Sequence, residues 1–315
     1  MTARSSQKVV YVAIATNLAV MICKYAAAMV TGSSAMLAEA LHSTADAGNE
    51  FLLLLGMKRS ARPPDALHPF GHGKALYFYS LLVAVYIFGV GGILAVYKGI
   101  TRLKDPHFSS HVSWNYAVLS LAALFDFYSW RISYRELLTR KDPDESTWEE
   151  VVGSKDPTVF TVFLEDSAGL AGTFLAFLGI FLGRMLHNPY LDPIASIAIG
   201  LLLAAVAILL GRESGALLLG ERTNRARVKR LRQIILAESS VEEAGQLLTM
   251  QLGPDQVLLT AGIRFRRGLT VEDLESAIAR LETLILEKEP TIKRMFLEPD
   301  SLNRADADPP HDKYE

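Results

Sequence analysis

The second hydrophobic stretch of the sequence carries polar side chains whose types and spacing suit metal binding. Four of them recur at intervals of three, four and three residues: Glu39, His42, Asp46 and Asn49. A helix places these four side chains on one face. On that face His42 and Asp46 have Cβ atoms about 5–6 Å apart, so an imidazole and a carboxylate can reach one ion.

The fifth hydrophobic stretch supplies two further acids, Glu165 and Asp166. Gly169 and Gly172 follow Asp166 by three and six residues, which leaves a flat helix face that a second helix can approach closely. An ionisable group near the centre of a bilayer costs about 2.5–3.5 kcal/mol on insertion scales, so such groups are expected to face a partner or a water-filled path. We therefore expect the second and fifth stretches to face each other.

Together the two stretches predict a metal site. Zinc is usually held by four nitrogen, oxygen or sulfur ligands. His42, Asp46 and Asp166 supply three, and the fourth position is left to Glu165, Asn49 or water. Imidazole with carboxylate suits zinc, with iron(II), manganese(II) or cobalt(II) as alternatives, because magnesium and calcium normally take oxygen ligands alone. The competing interpretation is a structural polar network that only joins the helices.

Two more charges lie in hydrophobic stretches, Lys24 in the first and Asp126 in the fourth. A buried charge is stable only when it is compensated. We therefore predict a Lys24–Asp126 ion pair and leave both residues out of the metal site.

The loop after the second stretch predicts a second site. Asp65, His68 and His72 place three metal-binding side chains within eight residues, next to the start of a helix. A polar loop with a histidine cap is the alternative. We expect a metal site at the cytoplasmic edge of the membrane.

Six stretches are long and apolar enough to cross a bilayer, whose core of about 30 Å needs roughly 20 helical residues. They are 9–30, 33–56, 75–99, 114–134, 158–182 and 193–211. The first is too long for a signal-peptide core, and we interpret it as a permanent helix. The N-terminal segment and the connections that lie on its side of the membrane hold eleven lysines and arginines, whereas those on the opposite side hold four. Because the cytoplasmic side is usually the more positive one, we predict that both termini are cytoplasmic.

Composition excludes several other classes of protein. The formal net charge of −2 gives no basic field of the kind that nucleic-acid binding needs. The single cysteine, Cys23, allows neither a disulfide framework nor a thiolate zinc cluster. An intramembrane metalloenzyme is a rival interpretation, but the sequence has no H-E-x-x-H motif to support it. We therefore expect no enzymatic activity.

The sequence after residue 212 is typical of a small α+β domain. A helix over 225–237, strands over 242–252 and 256–265, a helix capped by Thr270 and a strand over 292–297 give the order α-β-β-α-β. The only histidine of this region is His311, so we predict no metal site there and a role in dimerisation. The predicted division is a membrane domain over 1–212, a cytoplasmic domain over 213–300 and a disordered tail over 301–315.

These features resemble the cation diffusion facilitator family over nearly the whole chain. The resemblance rests on six spans, the H-x-x-x-D motif of the second stretch, the D-x-x-H-x-x-x-H loop, the D-x-x-G-x-x-G motif of the fifth stretch and the C-terminal domain. It implies an α-helical membrane protein whose ferredoxin-like, metallochaperone-like tail forms a homodimer. It also implies export of zinc or a similar ion from the cytosol in exchange for protons, most simply in a bacterial inner (plasma) membrane. The implied ligands are His42, Asp46 and Asp166 for transport, with Asp65, His68 and His72 in the loop.

One position departs from the family pattern. The zinc branch usually has a histidine four residues before the fifth-span aspartate, where this sequence has Val162. The Glu165–Asp166 pair resembles the subgroup of mitochondrial-type zinc exporters. Adjacent helical residues point about 100° apart, so Glu165 does not simply take the place of the missing histidine. A non-transporting sensor or accessory subunit is therefore the main alternative to a transporter.

Overall fold

A computed structural model describes residues 3–108, 112–140 and 155–299 of the chain. Within these ranges, six helices of 27 to 30 residues come first along the sequence. They are α1 (Ala3–Thr31), α2 (Ser34–Ser60), α3 (Ala75–Lys104), α4 (Val112–Arg140), α5 (Pro157–Met185) and α6 (Leu191–Leu219). The segment Ile87–Ile93 within α3 is π-helical.

Three of these helices are long and apolar enough to cross a membrane: α3, α5 and α6. Among the described residues, the apolar part of α1 is the shorter segment Asn17–Thr31. The helices α2 and α4 carry several charged side chains each. This chain is thus a helical protein with membrane-spanning segments, while the full count of six spans stays a prediction.

The start of α2 is fixed by a carboxylate from α6. Ser33 caps the helix by accepting a hydrogen bond from the backbone N–H of Met36. Asp192 accepts hydrogen bonds from the backbone N–H of Ser34 at 2.7 Å, from the Ser34 hydroxyl at 2.8 Å and from the Ser33 hydroxyl. A negative charge at a helix N-terminus is favourable because the free N–H groups there carry partial positive charge. The anchor therefore joins α2 firmly to α6.

After the six long helices the chain forms a three-stranded sheet with two helices. The elements are α7 (Arg225–Leu236), β1 (Val241–Gly253), β2 (Gln256–Phe265), α8 (Val271–Lys288) and β3 (Ile292–Pro299). The order α-β-β-α-β agrees with the sequence prediction. The strand β2 lies in the middle, antiparallel to β1 and parallel to β3. The helices cover one face of the sheet around a core that includes Leu231, Ile235, Leu259, Leu281 and Ile285.

The chain divides into two compact units. The first comprises residues 1–63 and 75–216, and the second comprises 64–74 and 217–315. The loop 64–74 thus groups with the C-terminal domain rather than with the helices that flank it in sequence. The predicted disordered segment 301–315 and the tail histidine His311 lie outside the described residues.

Candidate metal centre

The two helices that carry the predicted ligands pack closely at two glycines of α5. A Cβ atom built on Gly169 would lie 3.0 Å from Nε2 of His42, and one built on Gly172 would lie 2.5 Å from Oε1 of Glu39. Both distances are shorter than ordinary van der Waals contact. The prediction that the D-x-x-G-x-x-G face admits a second helix is therefore confirmed, and that helix is α2.

The predicted ligands lie along this α2–α5 contact. Nδ1 of His42 is 3.3 Å from Oδ1 of Asp46, as their spacing of four residues predicts. Asp166 accepts a hydrogen bond of 2.9 Å from the hydroxyl of Ser129 on α4. Among the described residues, five buried side-chain atoms of the predicted site have no hydrogen-bond partner: Nδ1 of His42, Oδ1 of Asp46, Oδ1 of Asn49, Oε1 of Glu165 and Oδ2 of Asp166. Because buried polar atoms are normally satisfied, these atoms are available to a cation.

The structure does not gather these three ligands around one point. Within the described part of the chain, His42, Asp46 and Asp166 do not form a trio whose ligand atoms all lie within 4.8 Å of one another. The shared site therefore stays a prediction.

Asn49 and Glu165, the other two predicted members, contact each other. The Asn49 amide donates a hydrogen bond to Oε2 of Glu165, and both side chains are buried. Val162, at the position where the zinc branch has histidine, is exposed. In this conformation Glu165 accepts a hydrogen bond from Asn49 on α2, while Asp166 accepts one from Ser129 on α4.

The prediction that Lys24 pairs with Asp126 is wrong, because the ion-pair partner of Lys24 is Glu39. The ammonium of Lys24 lies 3.0 Å from Oε2 of Glu39, and both residues are almost fully buried. The hydroxyl of Thr173 lies 2.9 Å from the same Glu39 oxygen and 3.0 Å from Oδ2 of Asp126. Sequence reasoning identified the charges but not their pairing, since the pairing depends on which helices are neighbours.

The three side chains of the predicted loop site lie close together. Oδ1 of Asp65 is 3.1 Å from Nδ1 of His68, and Oδ2 of Asp65 is 3.4 Å from Nε2 of His72. Among the described residues, this trio is the one group of His, Cys, Asp or Glu whose ligand atoms all lie within 4.8 Å of one another. The backbone N–H of His68 donates to Asp65 and holds the pKa of that carboxyl below its usual range. A carboxylate and two imidazoles are suitable ligands for a divalent ion.

The loop that carries this trio packs against the hairpin between β1 and β2. A Cβ atom on Gly73 would lie 2.3 Å from the carbonyl oxygen of Leu252, so only glycine allows the two backbones to come this close. Lys74 extends the contact with its ammonium 3.7 Å from Sδ of Met250. Nothing in the local sequence pattern indicated this contact, because the two segments are about 180 residues apart.

Comparison with known proteins identifies the family of the chain. The family of the cation efflux transmembrane domain matches residues 10–219. The mitochondrial proton-coupled zinc antiporter SLC30A9 of Homo sapiens is 31% identical over 259 residues, which cover 82% of this chain and 46% of that protein. Metal tolerance protein C4 of Arabidopsis thaliana is 28% identical over 278 residues, which cover 88% of this chain and 61% of that protein.

A bacterial relative is also similar. The magnetosome protein MamM of Paramagnetospirillum magneticum is 27% identical over 192 residues, which cover 60% of this chain and 55% of that protein. The chain spans about half the length of the SLC30A9 antiporters that it matches. The family match extends over the helices that bear the ligands and over the loop trio. The chain therefore belongs to the cation efflux family, the cation diffusion facilitators, as an integral membrane protein that resembles the mitochondrial-type zinc exporters.

Proposed function

We propose that this protein exports zinc from the cytosol in exchange for protons, as a transporter rather than an enzyme. The observation that carries the proposal is the α2–α5 contact, where an imidazole and three carboxyl groups have buried oxygen or nitrogen atoms without a hydrogen-bond partner. The names of the similar antiporters support zinc as the ion and protons as the counter-ion. Iron(II), manganese(II) and cobalt(II) remain the alternative substrates, because the same ligands accept them.

The proposed ligands of the transported ion are His42, Asp46 and Asp166, with water in the fourth position. Asn49 and Glu165 lie beside them as a polar pair that lines the path of the ion. A ligating imidazole and carboxylate must be deprotonated, so the ion and protons compete for the same lone pairs. When the site opens to a more acidic compartment, protons displace the ion, and this competition couples the two fluxes.

The loop trio is the proposed point of entry for the ion. Asp65, His68 and His72 lie between α2 and α3 in sequence, and the positive charges of the neighbouring connections predict that this side is cytosolic. The site is accessible, since about half of the side-chain surface of Asp65 and of His68 is exposed. An exposed site can load an ion from the cytosol and exchange it quickly.

We further propose that the protein works as a homodimer in a bacterial inner membrane, with both termini in the cytosol. The sheet of the C-terminal domain exposes Leu248 and Met250 of β1 and Phe296 of β3. Exposed apolar residues grouped on one sheet are common at protein interfaces. These residues support a dimer through the C-terminal domain.

Zinc flux in proteoliposomes tests the proposal. Wild-type protein should move zinc at a rate that rises with an imposed pH gradient, and the variants Asp46→Ala and Asp166→Ala should lose flux by tenfold or more. Asp105→Ala, which removes an exposed carboxylate just after α3, is the matched control and should transport normally. Flux that ignores the pH gradient would reject proton coupling. Unchanged flux in both site variants would favour the accessory subunit instead.

A further inference from the structure

One buried polar group takes no part in the proposed site, although it joins four helices next to it. Lys24 comes from α1, Glu39 from α2, Asp126 from α4 and Thr173 from α5. Glu39 is three residues before His42, which places it about one helical turn nearer the start of α2. Asp126 is three residues before Ser129 on α4, and Thr173 is seven residues after Asp166 on α5. Because α4 and α5 run in opposite directions, both residues are displaced toward the same end of the helices as Glu39. The four residues therefore form a layer about one turn beyond His42 and two turns beyond Asp46 and Asp166.

The side of the membrane on which this layer lies follows from the proposed cytosolic position of both termini, and the inference rests on that proposal. With both termini in the cytosol, α1 and α5 run away from the cytosol, while α2 and α4 run toward it. Lys24 and Thr173 lie in the later parts of their helices, and Glu39 lies near the beginning of its own. The layer is thus on the far side of the metal ligands, where an exported ion must pass.

The layer has more acidic than basic side chains. It contains the carboxyl groups of Glu39 and Asp126 and one ammonium, that of Lys24. The Thr173 hydroxyl lies within hydrogen-bond distance of both carboxyl groups, yet it has one proton and can donate to one of them at a time. The second carboxyl group is then compensated by a proton or by a further cation, because two ionised carboxylates close together in a protein interior repel each other.

One oxygen of this layer is also unsatisfied. Oε1 of Glu39 is fully buried and has no hydrogen-bond partner among the described residues. It faces the bare backbone of Gly172, where a Cβ atom would lie only 2.5 Å away. The other oxygen of Glu39 already binds a cation, the ammonium of Lys24, at 3.0 Å. The carboxyl group of Asp126 also interacts electrostatically with the Lys24 ammonium.

We propose that Glu39 and Asp126 form a second binding site for the transported divalent cation, and that the Lys24 ammonium occupies it in this conformation. The ion replaces the ammonium as it leaves, and the ammonium returns after release. The ligands of this site are oxygens alone, which bind zinc less strongly than a site with imidazole. A weaker site beyond a stronger one lets the ion move outward without being trapped.

Counting bound ions tests this assignment directly. The full-length chain in lipid nanodiscs, with His68→Ala and His72→Ala to remove the loop site, is dialysed against zinc and analysed for metal. We expect one ion per chain in this background and two after Lys24→Gln, because the carboxylates then lack their internal cation. The double variant Lys24→Gln with Glu39→Gln should return the count to one ion per chain. It also shows whether the protein still folds and binds zinc without the Lys24–Glu39 ion pair. An unchanged count in Lys24→Gln would overturn the proposal.

Asp126→Asn provides a test that leaves the Lys24–Glu39 pair intact. Zinc flux in this variant should fall by tenfold or more, while equilibrium zinc binding by the His42 site stays within about threefold of wild type. Wild-type flux in Asp126→Asn would overturn the proposal. If wild-type protein itself moved no zinc, the transport function would fail, but the ion count in Lys24→Gln would still decide whether the second site exists.

Discussion

Replacing Gly172 with alanine should destabilise the protein through Glu39. The added Cβ would lie 2.5 Å from Oε1 of Glu39, whereas carbon and oxygen in ordinary contact are roughly 1 Å farther apart. The carboxylate is not free to withdraw, because its other oxygen is held by Lys24 at 3.0 Å and by Thr173 at 2.9 Å. Any relief of the clash therefore weakens a buried, charge-assisted hydrogen bond.

The magnitude follows from three contributions. Overpacking a tight contact costs about 1–3 kcal/mol, and hydrogen bonds to a charged group are worth about 1.5–3 kcal/mol each. Alanine recovers up to about 1 kcal/mol of helix propensity relative to glycine. The net loss should be about 2–4 kcal/mol, which lowers the melting temperature by on the order of 5–10 °C.

Thermal unfolding of the detergent-solubilised protein measures this loss. Gly215→Ala on α6 is the matched control, since a Cβ atom there would meet nothing within 4 Å. That control should melt at or slightly above the wild-type temperature. If Gly172→Ala melted together with Gly215→Ala, the close approach of α2 and α5 at Glu39 would be refuted.

Three further predictions concern other parts of the chain. Removing both loop histidines, with His68→Ala and His72→Ala, should lower the number of zinc ions bound per chain by one; an unchanged count by metal analysis would show that the loop holds no ion. Glu165→Gln should keep its hydrogen bond to the neighbouring amide and retain zinc flux within about threefold of wild type; a loss of tenfold or more in proteoliposomes would make Glu165 a ligand. The hydrogen bond from Arg280 lowers the pKa of Glu238, so this pair stabilises the C-terminal domain above about pH 4.3 and loses that effect as the pH falls through the lowered pKa. Arg280→Met should therefore weaken hydrogen-exchange protection of α8 at pH 7, and this effect should shrink as the pH falls below about 4.3; equal protection at pH 7 would contradict the assignment.

Features set by local spacing were predictable from the sequence. The periodicity of α2 places His42 and Asp46 on one face, and the glycines after Asp166 open the facing surface of α5. The loop trio is equally local, because Asp65 and His68 are three residues apart in a turn. Each of these follows from helix or turn geometry over fewer than ten residues.

Features set by tertiary contacts were not predictable in the same way. Lys24 has two acids within reach of its helix, and only the packing of α1 against α2 decides that Glu39 is its direct partner. The loop 64–74 contacts the β1–β2 hairpin through Gly73 and Leu252, a pairing that no local pattern encodes. A single sequence gives the type of each charge but not the neighbour that neutralises it.

The bonds from Asp192 to the first turn of α2 limit how that helix can move. Sliding α2 along its own axis would break all of them together, whereas tilting about this anchored end keeps them. His42 is eight residues from Ser34, or about 12 Å along the helix, so a tilt of about 10° displaces it by roughly 2 Å. The Asp192 carboxylate thus lets α2 tilt about its first turn while it opposes sliding, and such a tilt would change the distance between the imidazole of His42 and the carboxyl groups of α5.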